Sequence, residues 1–221
     1  MTKHHFSIKE VFTFGYNKLV QHAWFVFLTG IISSIIVSAT IPNPLLVFIV
    51  GTMVGLSLVS ISLMIVRNHS FSFSDLTTPL LSYKRVLKFF ALTSFYMLPV
   101  LFLSLTGAII VFGAANGSTS VTIFGLILTM IFFVISVFIT VRLKFFPYIV
   151  IEHEYSSVKD LILMSYKLTQ NNFWKLLLFI LAAAVLNTLG ALFFLVGLVV
   201  TVPITAFASA HLYDKFKSHS A

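Results

Sequence analysis

Of the 221 residues, 59% are hydrophobic, 15% aromatic and only 9% charged, against roughly a quarter charged in an ordinary soluble domain. So few charges cannot cover a water-soluble protein of this size, so the chain reads as an integral membrane protein whose apolar surface faces lipid. The formal net charge of +8 fits the cytoplasmic face of a bilayer rather than nucleic acid, since no basic patch comes with a recognition element, and the lack of cysteine excludes disulfides, thiolate metal sites and a cysteine nucleophile.

In chain order, His4 and His5 come first and carry no chemistry. Ser7-Ile8-Lys9-Glu10 then reads as a helix start of the capping-box type, in which the serine accepts from a free backbone amide and the acid reaches back. Ile8, Val11, Phe12, Tyr16 and Leu19 recur at helical spacing, with Lys9, Glu10, Thr13, Asn17 and Lys18 elsewhere on the wheel. That pattern predicts a short amphipathic helix at the cytoplasmic interface. The apolar run that follows from Ala23 has no A-x-A site after it, so it is expected to be a retained span and not a cleaved signal.

Residues 19–66, 89–141 and 176–213 contain no Asp, Glu, Lys or Arg. A crossing takes roughly 20 helical residues, so each stretch holds two. Turns are expected at Pro42-Asn43-Pro44, at 115–120 around Asn116-Gly117, and between Gly190 and Gly197. The spans expected are 23–41, 45–66, 89–112, 121–141, 174–192 and 196–212. All 14 basic residues fall on one side of this arrangement, which puts both termini in the cytoplasm. The predicted fold is an all-α single membrane domain over 1–221, with six transmembrane helices as three hairpins, each preceded by a cytoplasmic interfacial helix.

Three units of about 7–66, 72–141 and 157–212 repeat this plan. Ser7-Ile8-Lys9-Glu10-Val11 matches Ser157-Val158-Lys159-Asp160-Leu161, and Trp24 then aligns with Trp174. A weaker copy starts at Ser72 with Asp75, and Pro79 would interrupt its helix. Trp24, Phe89 and Trp174 occupy equivalent places and are expected to anchor the interface, as amphipathic rings do. The units all start on one side, so they are parallel, whereas alternating-access carriers commonly use inverted repeats.

Chemistry in the spans is sparse. None carries an acid or base in its interior, which weighs against a proton- or sodium-coupled carrier. Asn187 is the strongest hydrogen-bonding group there, and a helix–helix bond explains it more readily than a ligand does. The intramembrane serines read as bonds to helix backbone. Gly51 and Gly55 form a G-x-x-x-G that favours close packing inside the monomer over a dimer seam. Pro99, Pro147 and Pro203 each kink or end a helix, and the carbonyls they free could line a site. Arg142 and Lys144 sit where snorkelling to lipid phosphate is the ordinary reading. Glu152-His153-Glu154 is the densest polar cluster, but its side chains point in different directions and it reads as a solvated turn. No catalytic, cofactor or metal residue is assigned. Lipid or substrate contacts are expected at Arg142, Lys144, Asn187 and Pro203.

The run Arg142-Leu-Lys-Phe-Phe-Pro147, then Ser165 to Asn172 with Phe173-Trp174, and Gly197-Leu-Val-Val-Thr-Val-Pro203 resembles the membrane domain fused to some glycerophosphoryl diester phosphodiesterases and its stand-alone bacterial relatives. The resemblance covers the last third of the chain well and the rest in layout. It implies a bacterial plasma-membrane protein with six helices and carries over no hydrolysis, which belongs to a separate soluble domain in the fused proteins. The expected function is a non-enzymatic membrane module, a scaffold or accessory subunit organising lipid or a membrane protein partner. The alternatives are an exporter of a lipid-like substrate and, third, an enzyme acting on headgroups at the polar rim. Anionic headgroups are the expected lipid partners.

Overall fold

Regular structure among the described residues is helical throughout. The computed structural model describes residues 6–69, 72–153, 156–192 and 196–218, so His4, His5 and Glu154 lie outside it. In order come α1 (Ile8–Gln21), α2 (Ala23–Ser38), α3 (Pro44–Val66), α4 (Tyr83–Ala115), α5 (Thr119–Arg142), α6 (Phe146–Glu152), α7 (Val158–Thr169), α8 (Phe173–Leu192) and α9 (Val196–Ser218). Each expected span overlaps one of these helices, the first ending at Ser38 and not at 41, with α4 and α9 running further at their charged ends. Four stretches are long and apolar enough to cross a membrane: Pro44–Val66, Tyr83–Ala115, Thr119–Glu152 and Val158–Leu192. A fifth is α1 with α2, if that pair, bent by 87°, counts as one.

The turns follow from their residues. Asn43 caps α3 by accepting from the amides of Leu45 and Leu46 at 3.0 and 3.3 Å, and Pro44 opens the helix where its missing N–H costs nothing. Between α4 and α5, Gly117 takes φ +65, a conformation open to glycine at no steric cost. The two helices then pack antiparallel: Gly125 lies so close to α4 that a Cβ there would come 2.7 Å from the Ile110 side chain, and the Phe102 and Phe132 rings stack at 4.7 Å. Pro99 and Pro203 stand inside α4 and α9 without ending them, and Pro147 sits in the first turn of α6.

The most enclosed helix is α9, packed by α1, α3 and α8. Ile204, Phe207, Ala208, Leu212, Tyr213 and Phe216 along it are all buried. That enclosure explains why α9 tolerates threonine, proline and serine better than a lipid-facing helix would. Where α8 meets it, a Cβ on Gly197 would lie 2.5 Å from the Gly190 carbonyl oxygen, so these two glycines permit backbone contact.

The expected interfacial helices take three different forms. α1 packs antiparallel along α9, with Phe6 against Phe216, Phe14 stacked on His211, and Val11, Gly15 and Leu19 buried. Gly15 makes this possible: a Cβ there would sit 2.4 Å from the Ile204 carbonyl oxygen. In the third unit, α7 runs through a 3-10 turn at Gln170–Asn172 into α8 as one stretch, Val158–Leu192. Units that match in sequence therefore differ in path, because α1 is held along α9 while α7 continues the axis of α8. The middle unit forms two 3-10 turns, Phe73–Leu76 and Thr78–Leu81, the second containing Pro79. Its capping box is nevertheless complete, with the Ser72 amide donating to Asp75 at 2.6 Å. Ser157 accepts from the Asp160 amide at 3.2 Å, and Ser7 makes no such side-chain bond.

Candidate functional site: an apolar groove below a charged rim

Both α1 and α8 lie on α9 but splay apart, and the gap between them is a groove of about 610 Å³. Phe12, Thr13 and Tyr16 form the α1 wall, Ala182, Val185, Leu186 and Leu189 the α8 wall, and Ile204 lies between. The Phe12 and Phe179 rings stack at 5.3 Å and close the groove at one end. Its volume is that of a small-molecule site, and the only hydroxyls among its lining residues are those of Thr13 and Tyr16; the rest are apolar. A smaller groove of about 350 Å³ lies beyond it, between Leu19, Trp24 and Phe27 and the Val199–Val200 segment.

A charged rim gathers at the C-terminal end of α9. Arg67, just past α3, donates from Nη2 to Glu152 Oε1 at 2.5 Å and to Asp214 Oδ1 at 2.5 Å, and from Nε to Asp214 Oδ2 at 3.0 Å. Lys217 donates to Glu152 Oε2 at 2.8 Å, and the Tyr213 hydroxyl donates to the same oxygen. Lys215 pairs with Glu10 at 3.1 Å. The Asp214 carboxylate holds the Arg67 guanidinium above its ordinary pKa, against the opposing effect of burial and with help from Glu152. This network ties α1, α3, α6 and α9 together, and the carboxylates in it are occupied by cations.

Arg142, the last residue of α5, does not extend freely toward solvent. Its guanidinium carbon lies 4.5 Å from the Tyr166 ring centroid and 5.2 Å from those of Phe138 and Phe173, while Nε and Nη1 are buried without a hydrogen-bond partner. Three aromatic faces compensate the charge. Lys144, in the turn before α6, points its ammonium over Phe179 at 5.7 Å. Asn187 lies beside the groove residue Leu186 with Oδ1 buried and unpartnered, and Pro203 precedes the groove residue Ile204. Neither Asn187 nor Pro203 is among the residues that line the groove, and Arg142 and Lys144 belong to the aromatic junction of α5, α7 and α8.

Of the expected interface anchors, Trp24 and Trp174 are exposed, at 76% and 74%. Phe89 is buried and faces Gly55, where a Cβ would lie 3.7 Å from its ring. Gly55 thus serves packing inside the chain, whereas nothing lies within 4 Å of a Cβ on Gly51. Ser34, Ser57, Ser62, Ser104, Ser136 and Ser209 bond backward to helix carbonyls, as Ser57 does to Met53 at 3.1 Å. Sequence reasoning missed Arg67, Tyr213 and Asp214, whose partners lie far away in the chain. It also missed Phe138, although its i, i+4 spacing to Arg142 was readable. Comparison with protein-family models, curated proteins and solved structures gives no match for this chain.

Proposed function

We propose that this chain is a non-enzymatic module of the bacterial plasma membrane that organises lipid, as a scaffold or accessory subunit beside a membrane protein partner. It crosses the bilayer six times, as three hairpins, with both termini cytoplasmic. The observation that carries the reading is the groove between α1 and α8, apolar along both walls and open at the side of the bundle. Such a groove accepts an acyl chain and offers few polar handles to anything else. The one-sided basic residues and the resemblance of the stretch from Arg142 onward to membrane domains of glycerophosphoryl diester phosphodiesterases support the same placement. Gentle purification followed by native mass spectrometry tests it: the expected result is lipid retained in stoichiometric amount, with or without a protein partner. Solute flux from liposomes containing only this protein would overturn it.

A second reading, export of a lipid-like substrate, is favoured by one detail. The unpartnered Asn187 oxygen on α8 and Pro203 inside α9 each stand next in sequence to a residue that lines the groove, and lipid-like cargo needs no intramembrane charge. An Asn187→Leu, Pro203→Ala variant is expected to lose transport under that reading, and wild-type flux in it would dispose of the site.

A further inference from the structure

The two ends of the groove between α1 and α8 are unlike. At one end the Phe12 and Phe179 rings stack at 5.3 Å, with Phe179 fully buried. Two residues before Phe12, Glu10 pairs with Lys215 near the C-terminus of α9. This end is therefore shut, and it lies on the side of the charged rim. The lining then runs away from the rim, along α1 to Tyr16 and along α8 to Leu189. Leu189 adjoins Gly190, which touches Gly197 in the first turn of α9, so the far end is level with the start of that helix. Here the walls are bare, since Tyr16, Val185 and Leu189 are all exposed. The smaller groove follows on the same course. Leu19, three residues after Tyr16 and so on the same face of α1, lines it together with Trp24, Phe27, Val199 and Val200. The stretches that supply this end, 19–66 and 176–213, contain no Asp, Glu, Lys or Arg.

Resting on the lipid-organising reading above, we propose that the groove holds an acyl chain of a phospholipid from the leaflet opposite the charged rim, and takes it without regard to headgroup charge. In the topology of that reading this is the outer leaflet. A chain from a rim-side lipid would have to run around the Phe12–Phe179 stack before it met the groove, whereas a chain from the far side enters where the walls stand apart. The headgroup then lies beside segments that carry no ionic side chain, so anionic and zwitterionic lipids meet the same surface. What the groove recognises is an apolar chain and the side from which it comes.

The test uses the full chain in right-side-out and inside-out membrane vesicles. Each receives phosphatidylcholine with a diazirine in its acyl chain, in the exposed leaflet only, and is irradiated before the label crosses; adducts are mapped by mass spectrometry. Adducts on residues 13–16 and 182–189 are expected from right-side-out vesicles and are expected to be lost from inside-out ones. Phosphatidylglycerol carrying the same label is expected to give the same map and yield. Val185→Trp, which fills the groove from an exposed position, is expected to abolish the adducts on 13–16. Phe12→Ala, which unstacks the shut end, is expected to admit label from inside-out vesicles too, and Phe12→Leu serves where Phe12→Ala is not recovered folded. Wild-type adducts from both leaflets alike, or from the rim side alone, overturn the leaflet assignment while leaving the lipid-organising reading in place. A clear excess of phosphatidylglycerol adducts overturns the indifference to headgroup charge. No adduct in the groove from either leaflet, or full labelling of Val185→Trp, overturns the groove as a lipid site and that reading with it.

Discussion

Arg67 shows how much of this molecule depends on side chains that meet across long distances in sequence. Its guanidinium engages Asp214 through two nitrogens and Glu152 through one of them, a forked geometry that lysine cannot reproduce. Arg67→Lys is expected to lower stability by about 1 kcal/mol and Arg67→Ala by somewhat more, because each leaves half-buried carboxylates short of a donor; thermal unfolding in detergent would read both. A second contrast concerns the two glycines of the G-x-x-x-G. Gly55→Leu is expected to cost about 1–3 kcal/mol by overpacking against Phe89, and Gly51→Leu to leave the melting temperature unchanged, since its Cβ position is open. The residue types at both glycines were visible in the sequence. Which one packs inward was not, because that depends on where Phe89 of another helix arrives.

At the scale of elements, the sequence pattern located every long helix, since an uncharged run of the right length has little else to become in a bilayer. It failed on direction. Ser7-x-x-Glu10 and Ser157-x-x-Asp160 look alike, yet α1 lies along α9 and α7 runs on into α8. The local signal states that a helix starts and says nothing about what it will pack against. Gly15 decides the first case, and it had no special standing in the sequence. Gly15→Leu is expected to detach α1 from α9, visible as faster proteolysis between α1 and α2 and as loss of the groove's α1 wall. Gly15→Ala should do the same more weakly, since even its Cβ would meet the Ile204 carbonyl at 2.4 Å.

For the whole molecule, the proposed six-span topology, which would put all 14 basic residues on one side, makes a prediction that the lack of cysteine in this sequence renders easy to check. Single cysteines at Asn43 and Ser120 are expected to react with an impermeant maleimide added outside intact cells, and cysteines at Thr77 and Ser218 only after lysis. Labelling of Asn43→Cys and Ser218→Cys from the same side would break the six-span arrangement. The groove could not have been read from the sequence, because its walls come from opposite ends of the chain and its lining residues look like ordinary apolar positions of two separate helices. Only the packing of both onto α9 turns them into a site.

The place of α9 also has a consequence for how the protein is made. The helix that α1, α3 and α8 pack around follows all of them in the chain, so it is synthesised last. Until then Arg67 lacks Asp214, Glu152 lacks Tyr213 and Lys217, and the face of Gly15 has nothing to close upon. Assembly around α9 is therefore a late event, whereas the α4–α5 pair can close before it. A chain interrupted before Val196 is expected to insert but not to accumulate, and to be found as a substrate of membrane proteases.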